Sequence, residues 1–321
     1  MLSRVADNLY WMRRYVERAD QIARVVRVNM DLAFDRAPLE VVQLWGRLLS
    51  GLWSAPAWAQ VTRESPTDAL SDLTNIDAVA SCVAAARENA RQIRQHITGE
   101  MWDRLNGVHL ALNDPARRAE WAQRPHGFFQ TVREAAALFD AAIADGLARD
   151  EAWHFLQLGQ FLERSASTAR LLECQLRAPV PANESDRLLD EQLEWICLLR
   201  ACDALELYRR RHRTELRPDH IVRFLIADQL SPRSIRYGFD RITETLAALA
   251  EAVPAQPAIV VGSALTDAVR VLEARDGPAI EAVCAIQGEC DRIHRMLRAT
   301  YIDHQQTVAP VANEGAAWIT R

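Results

Sequence analysis

A chain of 321 residues, 49% hydrophobic and 25% charged, is long enough for two ordinary domains or one large helical body, and its composition is not that of a disordered protein. Its formal charge of -5 offers no overall attraction to nucleic acid or anionic lipid, and no uninterrupted run of about 18 apolar residues marks a membrane span. All 38 basic residues are arginine, which excludes a Walker A phosphate lysine, a Schiff-base lysine and a pyridoxal phosphate anchor.

With only 12 glycines and 13 prolines against abundant alanine and leucine, few breakers interrupt good helix formers, and the chain is expected to be all-α. Cys82, Cys174, Cys197, Cys202, Cys284 and Cys290 form no Cys-x-x-Cys and read as small core residues, with neither a zinc site nor a disulfide framework. Residues Met1 to Asn8 run straight into charges without the apolar core of a secretion signal, so the expected location is cytoplasmic.

Ser3 is placed to cap a first helix running to about Phe34. Along it Val5, Leu9, Met12, Val16, Ala19, Ala23, Val26 and Met30 recur at alternating spacings of four and three, a heptad seam that packs lengthwise against long neighbours. Pro38 opens a second helix containing Trp45 and Trp53, and a loop marked by Pro56 and Pro66 follows. Helical pattern resumes from roughly Ile76 to Ile97 and from Glu100 to Leu112, where Asn113, Asp114 and Pro115 break it. A further helix spans Phe128 to Leu147.

Asp150 starts a helix that echoes the first. Aligning Glu17 with Glu163 superposes Val16 on Leu162, Arg18 on Arg164, Ala23 on Ala169 and Arg24 on Arg170, with a matching seam of Phe155, Leu158, Leu162, Ser165, Ala169, Leu172 and Leu176. The expectation is a long-helix bundle formed by internal duplication of a unit of about 145 residues, 1–148 and 149–304, packed as one body and followed by a mobile tail, 305–321. Helices are expected from Leu188 to about His212, from Pro218 through Ile226, after Pro232 to about Ala252, then at Ser263–Arg275 and Pro278–Ile302, with Pro254 and Pro257 bracketing a loop. A weaker echo relates Arg91-Gln-Ile-Arg94 to Arg233-Ser-Ile-Arg236.

The repeated Glu-Arg carries the main chemical hypothesis. Tyr10, Arg13, Glu17 and Arg24 lie on one helix face by their spacings, and Glu163 and Arg170 repeat the last two. A carboxylate flanking an apolar seam needs a charged partner, so the bland reading is a pair of ion-pair networks that hold the bundle together. The functional reading is an anion or carboxylate site in which Tyr10, Arg13, Arg24, Arg91, Arg94, Arg170, Arg233 and Arg236 bind, with Glu17 as acid, base or metal ligand and Glu163 as the second catalytic candidate. Glu151-x-x-His154 has di-iron spacing, but Asp291-x-x-His294 is its only comparable partner, so no metal and no cofactor is expected. The basic run Tyr208 to Arg213 reads as a solvated helix end, and Trp11, Trp102, Trp153 and Trp195 as packing residues.

The string Leu2-Ser-Arg-Val-Ala-Asp-Asn-Leu-Tyr-Trp-Met-Arg-Arg-Tyr-Val-Glu-Arg-Ala19 resembles the opening of the bacterial alpha-E domain family. Ala86 to Arg94, Glu100 to Asn106 and Ser231 to Tyr237 are similar to further stretches of it, so the resemblance runs from Met1 to about His304. Asp7 and Asp20 stand where the family carries glutamate. The resemblance implies an all-helical fold and association with circularly permuted ATP-grasp ligase-type proteins and transglutaminase-like proteins, in peptide or amide bond formation or peptide modification.

An ATP-grasp ligase needs a mixed α/β scaffold and phosphate-binding lysines, so this chain is not the ligase. Two functions of different class follow: a helical accessory or substrate-binding partner of such a ligase, or an enzyme that acts on its peptide or amide product through the Glu17 and Glu163 clusters. A structural homodimer joined through the heptad seam is a third.

Overall fold

A computed structural model describes residues 1, 3–33, 79–178, 184–212, 216–252, 259–273 and 279–303. Every regular element among them is helical. In chain order these are α1 (Ser3–Ala33), α2 (Val79–Gln92), α3 (Gly99–Asn113), α4 (Pro115–Gln123), α5 (Pro125–Gly146) and α6 (Glu151–Leu176). Then come α7 (Glu184–Ala201), α8 (Leu205–His212), α9 (Pro218–Ala227), α10 (Ile235–Ala252), α11 (Ala264–Glu273) and α12 (Ala279–Leu297), which ends in a π turn, Arg298–Ile302. The second helix expected from Pro38, the loop at Pro254 and Pro257 and the tail from Gln305 lie outside the described residues.

The two seams face each other. All eight seam residues of α1 are buried, as are those of α6 up to Leu172, and α1 lies along α6 as the central pair. Around them α2, α5 and α7 cover α1, while α10 and α12 cover α6. One continuous buried apolar cluster runs from Val5 to Ile302. Each fully buried aliphatic side chain contributes about 1.5–3 kcal/mol, so the seam is the main cohesive element. It is filled within the chain, and the seam is therefore not a free dimerisation face.

Close approach of the central helices depends on glycine. A Cβ at Gly159 on α6 would lie far inside van der Waals contact with the Tyr10 carbonyl oxygen on α1, and 3.2 Å from Arg13 Cβ. Gly238 plays the same part between α10 and α6, where a Cβ would strike Ser165.

Polar side chains start the helices. Asp150 Oδ1 accepts from the Ala152 and Trp153 amides at 2.9 and 3.4 Å, and Thr98 Oγ1 accepts from Met101 at 3.2 Å. Asp114 and Pro115, which read as a helix break, also start α4: Asp114 Oδ1 accepts from the Ala116 amide at 2.9 Å and Pro115 takes the first helical position, where its missing N–H costs nothing. The helix expected from Leu188 to His212 is two, α7 and α8, separated at Asp203, whose φ of 51° lies in the left-handed region that ends a helix. Of the cysteines, Cys284 is exposed rather than a core residue.

Candidate functional site: two buried Glu-Arg clusters

Glu17 and Glu163 sit on the α1 and α6 faces that meet, with 2% and 0% of their surface exposed. A lone carboxylate there would cost several kcal/mol. Each is met by arginines from the opposite helix. Arg164 on α6 donates two hydrogen bonds to Glu17, Nε to Oε1 at 2.8 Å and Nη2 to Oε2 at 2.9 Å. Reciprocally, Arg18 on α1 donates to Glu163, Nε to Oε1 at 2.7 Å and Nη2 to Oε2 at 3.2 Å. Planar guanidinium and planar carboxylate match as paired forks, the strongest form of such a bond.

Each cluster has further members. Arg233 Nη1 donates to Glu17 Oε1 at 3.0 Å and to Gln21 Oε1 at 3.0 Å, while its Nη2 donates to Asp20 Oδ2 at 2.9 Å. The segment before α10 delivers that arginine: Asp228 Oδ1 accepts from the Leu230 and Ser231 amides, Thr168 Oγ1 donates to the Arg233 carbonyl, and Ser234 Oγ caps α10 at the Tyr237 amide. Arg13 bridges Glu17 and the half-exposed Asp140, with Nη2 3.7 Å from Glu17 Oε2 and 2.7 Å from Asp140 Oδ1. Arg24 pairs with Asp20 at 2.7 Å and with Asp203 at 3.0 Å.

On the other side Arg14 Nε donates to Glu163 Oε2 at 2.7 Å and its Nη1 to the Tyr10 hydroxyl at 3.0 Å. That hydroxyl donates to His294 Nδ1 at 2.8 Å, and Arg14 Nη1 lies 3.3 Å from the same nitrogen. An arginine can only donate, so Nδ1 is the unprotonated nitrogen and the imidazole proton sits on Nε2. The ring stacks on Tyr10 at 5.7 Å, and Trp11 lies under Arg14.

Burial alone would push both glutamate carboxyls up. The Arg164 and Arg233 charges reverse this for Glu17, and those of Arg14 and Arg18 for Glu163, holding both far below the usual carboxylate range. Neither can carry a proton near neutral pH. Burial, with the Arg14 and Arg298 charges, lowers His294 to about 4, and burial raises Tyr10 to about 12.

The predicted site residues divide. Arg13, Glu17, Arg24 and Arg233 form one cluster, whereas Tyr10 belongs to the Glu163 cluster, because its hydroxyl reaches Arg14 and His294. The half-buried Arg170 contributes its charge to Glu163 without a hydrogen bond to it among the described residues. Arg91, Arg94 and Arg236 do not join either cluster: Arg91 is exposed and pairs with Glu88 at 2.7 Å, Arg94 lies over Trp102 at 5.2 Å, and Arg236 pairs with Asp240 at 3.0 Å. Their positions on outward helix faces, which an Arg-x-x-Arg spacing cannot reveal, take them away. Arg14, Arg18, Arg164 and His294, with Asp20, Gln21, Asp140 and Asp203, are members not singled out from sequence as site residues. Arg18 and Arg164 carry a signal nonetheless, since each follows a repeated glutamate. Among the described residues no group of three or more His, Cys, Asp or Glu side chains is placed to hold a metal ion, and no helix is long and apolar enough to cross a membrane.

An all-helical protein whose two central helices exchange buried Glu-Arg pairs is the class that fold and site define. The family described as a predicted alpha-helical domain with a conserved ER motif matches residues 1–302, and the chain belongs to this alpha-E family. The dipeptide Glu-Arg occurs at Glu17-Arg18 and at Glu163-Arg164, the residues that make the exchange. Uncharacterised proteins of Mycobacterium bovis and of Mycobacterium tuberculosis are each 23% identical to it over 265 residues, covering 76% of this chain and 29% of theirs. The chain thus corresponds to less than a third of the length of those relatives. No solved structure matches it.

Proposed function

We propose that this protein is a helical accessory or substrate-binding module of an ATP-grasp ligase-type system that makes or modifies peptide or amide bonds. The observation that carries the binding half of this reading is the state of the two glutamates. Each is sealed from solvent and held ionised by two or more arginines, so neither is free to take up or release a proton during turnover. This favours a module over an enzyme that works through Glu17 and Glu163. The partner comes from the family resemblance. The mycobacterial relatives, in which the matched part is 29% of a longer chain, fit a module that operates beside other sequence. A transglutaminase-like protein of the same system is a second partner to test.

The reciprocal exchange also supports descent from a duplicated unit of about 145 residues, because each half lends a glutamate to the other's arginine. Co-expression with the ATP-grasp ligase-type protein encoded nearest to it, followed by size exclusion and ATP turnover with and without this chain, tests the partnership. A shared peak and altered turnover are expected. Separate peaks well above micromolar concentration, with unaltered turnover, would reject it.

A further inference from the structure

Among the described residues, the outer end of the Glu17 cluster carries more positive charge than it neutralises. Inside, Arg13 and Arg164 face Glu17 and Asp140. Further along α1, Arg24, Arg133 and Arg233 share Asp20, Arg24 also reaches Asp203 and Arg233 also reaches Glu17, while the Arg27 charge acts on Arg133. Asp20 is already taken: Arg24 and Arg233 hold its Oδ2 at 2.7 and 2.9 Å, leaving Arg133 Nε 3.7 Å from Oδ1, beyond hydrogen-bond length. Asp203 is 63% exposed at its side chain and screened by water. Among the described residues Arg27 donates to the neutral Gln130, at 3.4 Å.

The three guanidiniums Arg24, Arg27 and Arg133 also share an unmet need. Among the described residues the Nε of each is buried with no acceptor. A buried donor left unpaired costs about 1–3 kcal/mol, and here there are three in one place beside a surplus of charge. Arg133 registers the crowding: burial and then the Arg24 and Arg27 charges lower its affinity for its proton. The cluster is not sealed, since the Arg133 side chain keeps 22% of its surface and Arg27 is half-buried.

We propose that the mouth formed by Arg24 and Arg27 on α1 and Arg133 on α5 is a binding site for a small oxyanion, a phosphate or carboxylate group. Such a group can set separate oxygens against two guanidinium forks, a paired match that a single-atom chloride ion lacks. Its charge would offset the surplus, and a modest reorientation of Arg27 and Arg133, the two partly exposed members, would bring their donors onto it. The site does not depend on the ligase partnership and is tested on the isolated chain.

The experiment is calorimetric titration of the protein with inorganic phosphate and, separately, with succinate, at ionic strength matched by chloride. Saturable binding of at least one probe is expected, weakened about tenfold or more by Arg133→Gln and by Arg27→Gln, a loss of roughly 1.4 kcal/mol. Phosphate alone, or succinate alone, would name the group; both would mean that the site reads the oxyanion. Should Arg133→Gln fail to fold, Arg133→Lys keeps the charge without the fork and is expected to bind with intermediate affinity. No saturable binding of either probe, or equal binding by wild type and the Arg27→Gln variant, would overturn the proposal.

Discussion

Glu17 receives its paired hydrogen bonds from Arg164, the residue that follows the other buried glutamate in sequence, rather than from its own neighbour Arg18. Adjacent residues on a helix project about 100° apart and cannot close on one another, whereas the facing helix presents its arginine at the right depth. The exchange therefore reports the register of α1 against α6. Sliding either helix by one turn would strand two buried carboxylates and their guanidiniums. Whatever its net contribution to stability, the pair fixes which alignment of the two seams is acceptable.

Removing one partner should show this. Glu17→Gln is expected to lower the unfolding free energy by about 3–5 kcal/mol, because Arg164, Arg233 and Arg13 are left facing one another in the interior. Double-mutant cycles by urea denaturation should give coupling of about 1–3 kcal/mol for Glu17 with Arg164 and for Glu163 with Arg18. Glu17 with Arg18 should give nearly none. Strong coupling in that last, sequence-adjacent pair would contradict the exchange.

At Gly159 two effects of opposite sign compete. Alanine is a better helix former than glycine by about 1 kcal/mol, which alone would stabilise α6. Against it, the new methyl would press on the Tyr10 carbonyl, a backbone atom that cannot rotate away. Overpacking costs about 1–3 kcal/mol, and with backbone on the receiving side the upper part of that range applies. Gly159→Ala should thus destabilise by roughly 1–2 kcal/mol net, while Gly107→Ala, where a Cβ meets nothing within 4 Å, should stabilise by a few tenths or more. Thermal melting of the two variants side by side checks the sign of each.

Much of the fold is legible in the residues for a physical reason. The α1 and α6 seams are periodic because a long helix buried on one side must repeat its apolar positions, and both seams lie where the spacing puts them. The Glu-Arg dipeptides are equally visible as buried charge beside a seam. Less legible is which arginine serves which glutamate, since Arg14, Arg164 and Arg233 reach their partners across the interface between helices. Asp114-Pro115 shows the limit of punctuation: the same two residues end one helix and cap the next.

The arginine pairs Arg91/Arg94 and Arg233/Arg236 have the same spacing and unlike surroundings. Arg91→Ala and Arg94→Ala remove an exposed, solvent-screened ion pair and a contact over Trp102, and should scarcely move the denaturation midpoint. Arg233→Ala leaves Asp20 and Gln21 short of a donor in the interior and should cost about 3 kcal/mol or more. Comparable losses at the two sites in denaturant titrations would restore the equivalence that the spacing suggested.

Acid should lower the stability of the fold over two pH windows, the upper one set by His294. Its folded-state value of about 4 lies below the ordinary 6.5, so the unfolded chain binds a proton there that the native one refuses. Stability from this group is intact above about pH 6.5 and is lost as pH falls from there toward 4. Glu17 and Glu163 act later. Both are depressed below the ordinary 4.5, so their contribution is complete above that value and lost as pH falls further. In His294→Gln, where the replacement keeps an acceptor for the Tyr10 hydroxyl, the urea midpoint should vary less with pH between about 6.5 and 4.5, with the steep loss below unchanged. An identical slope in wild type and variant across the upper window would mean that the Nδ1 contact with Tyr10 and Arg14 does not hold the imidazole neutral.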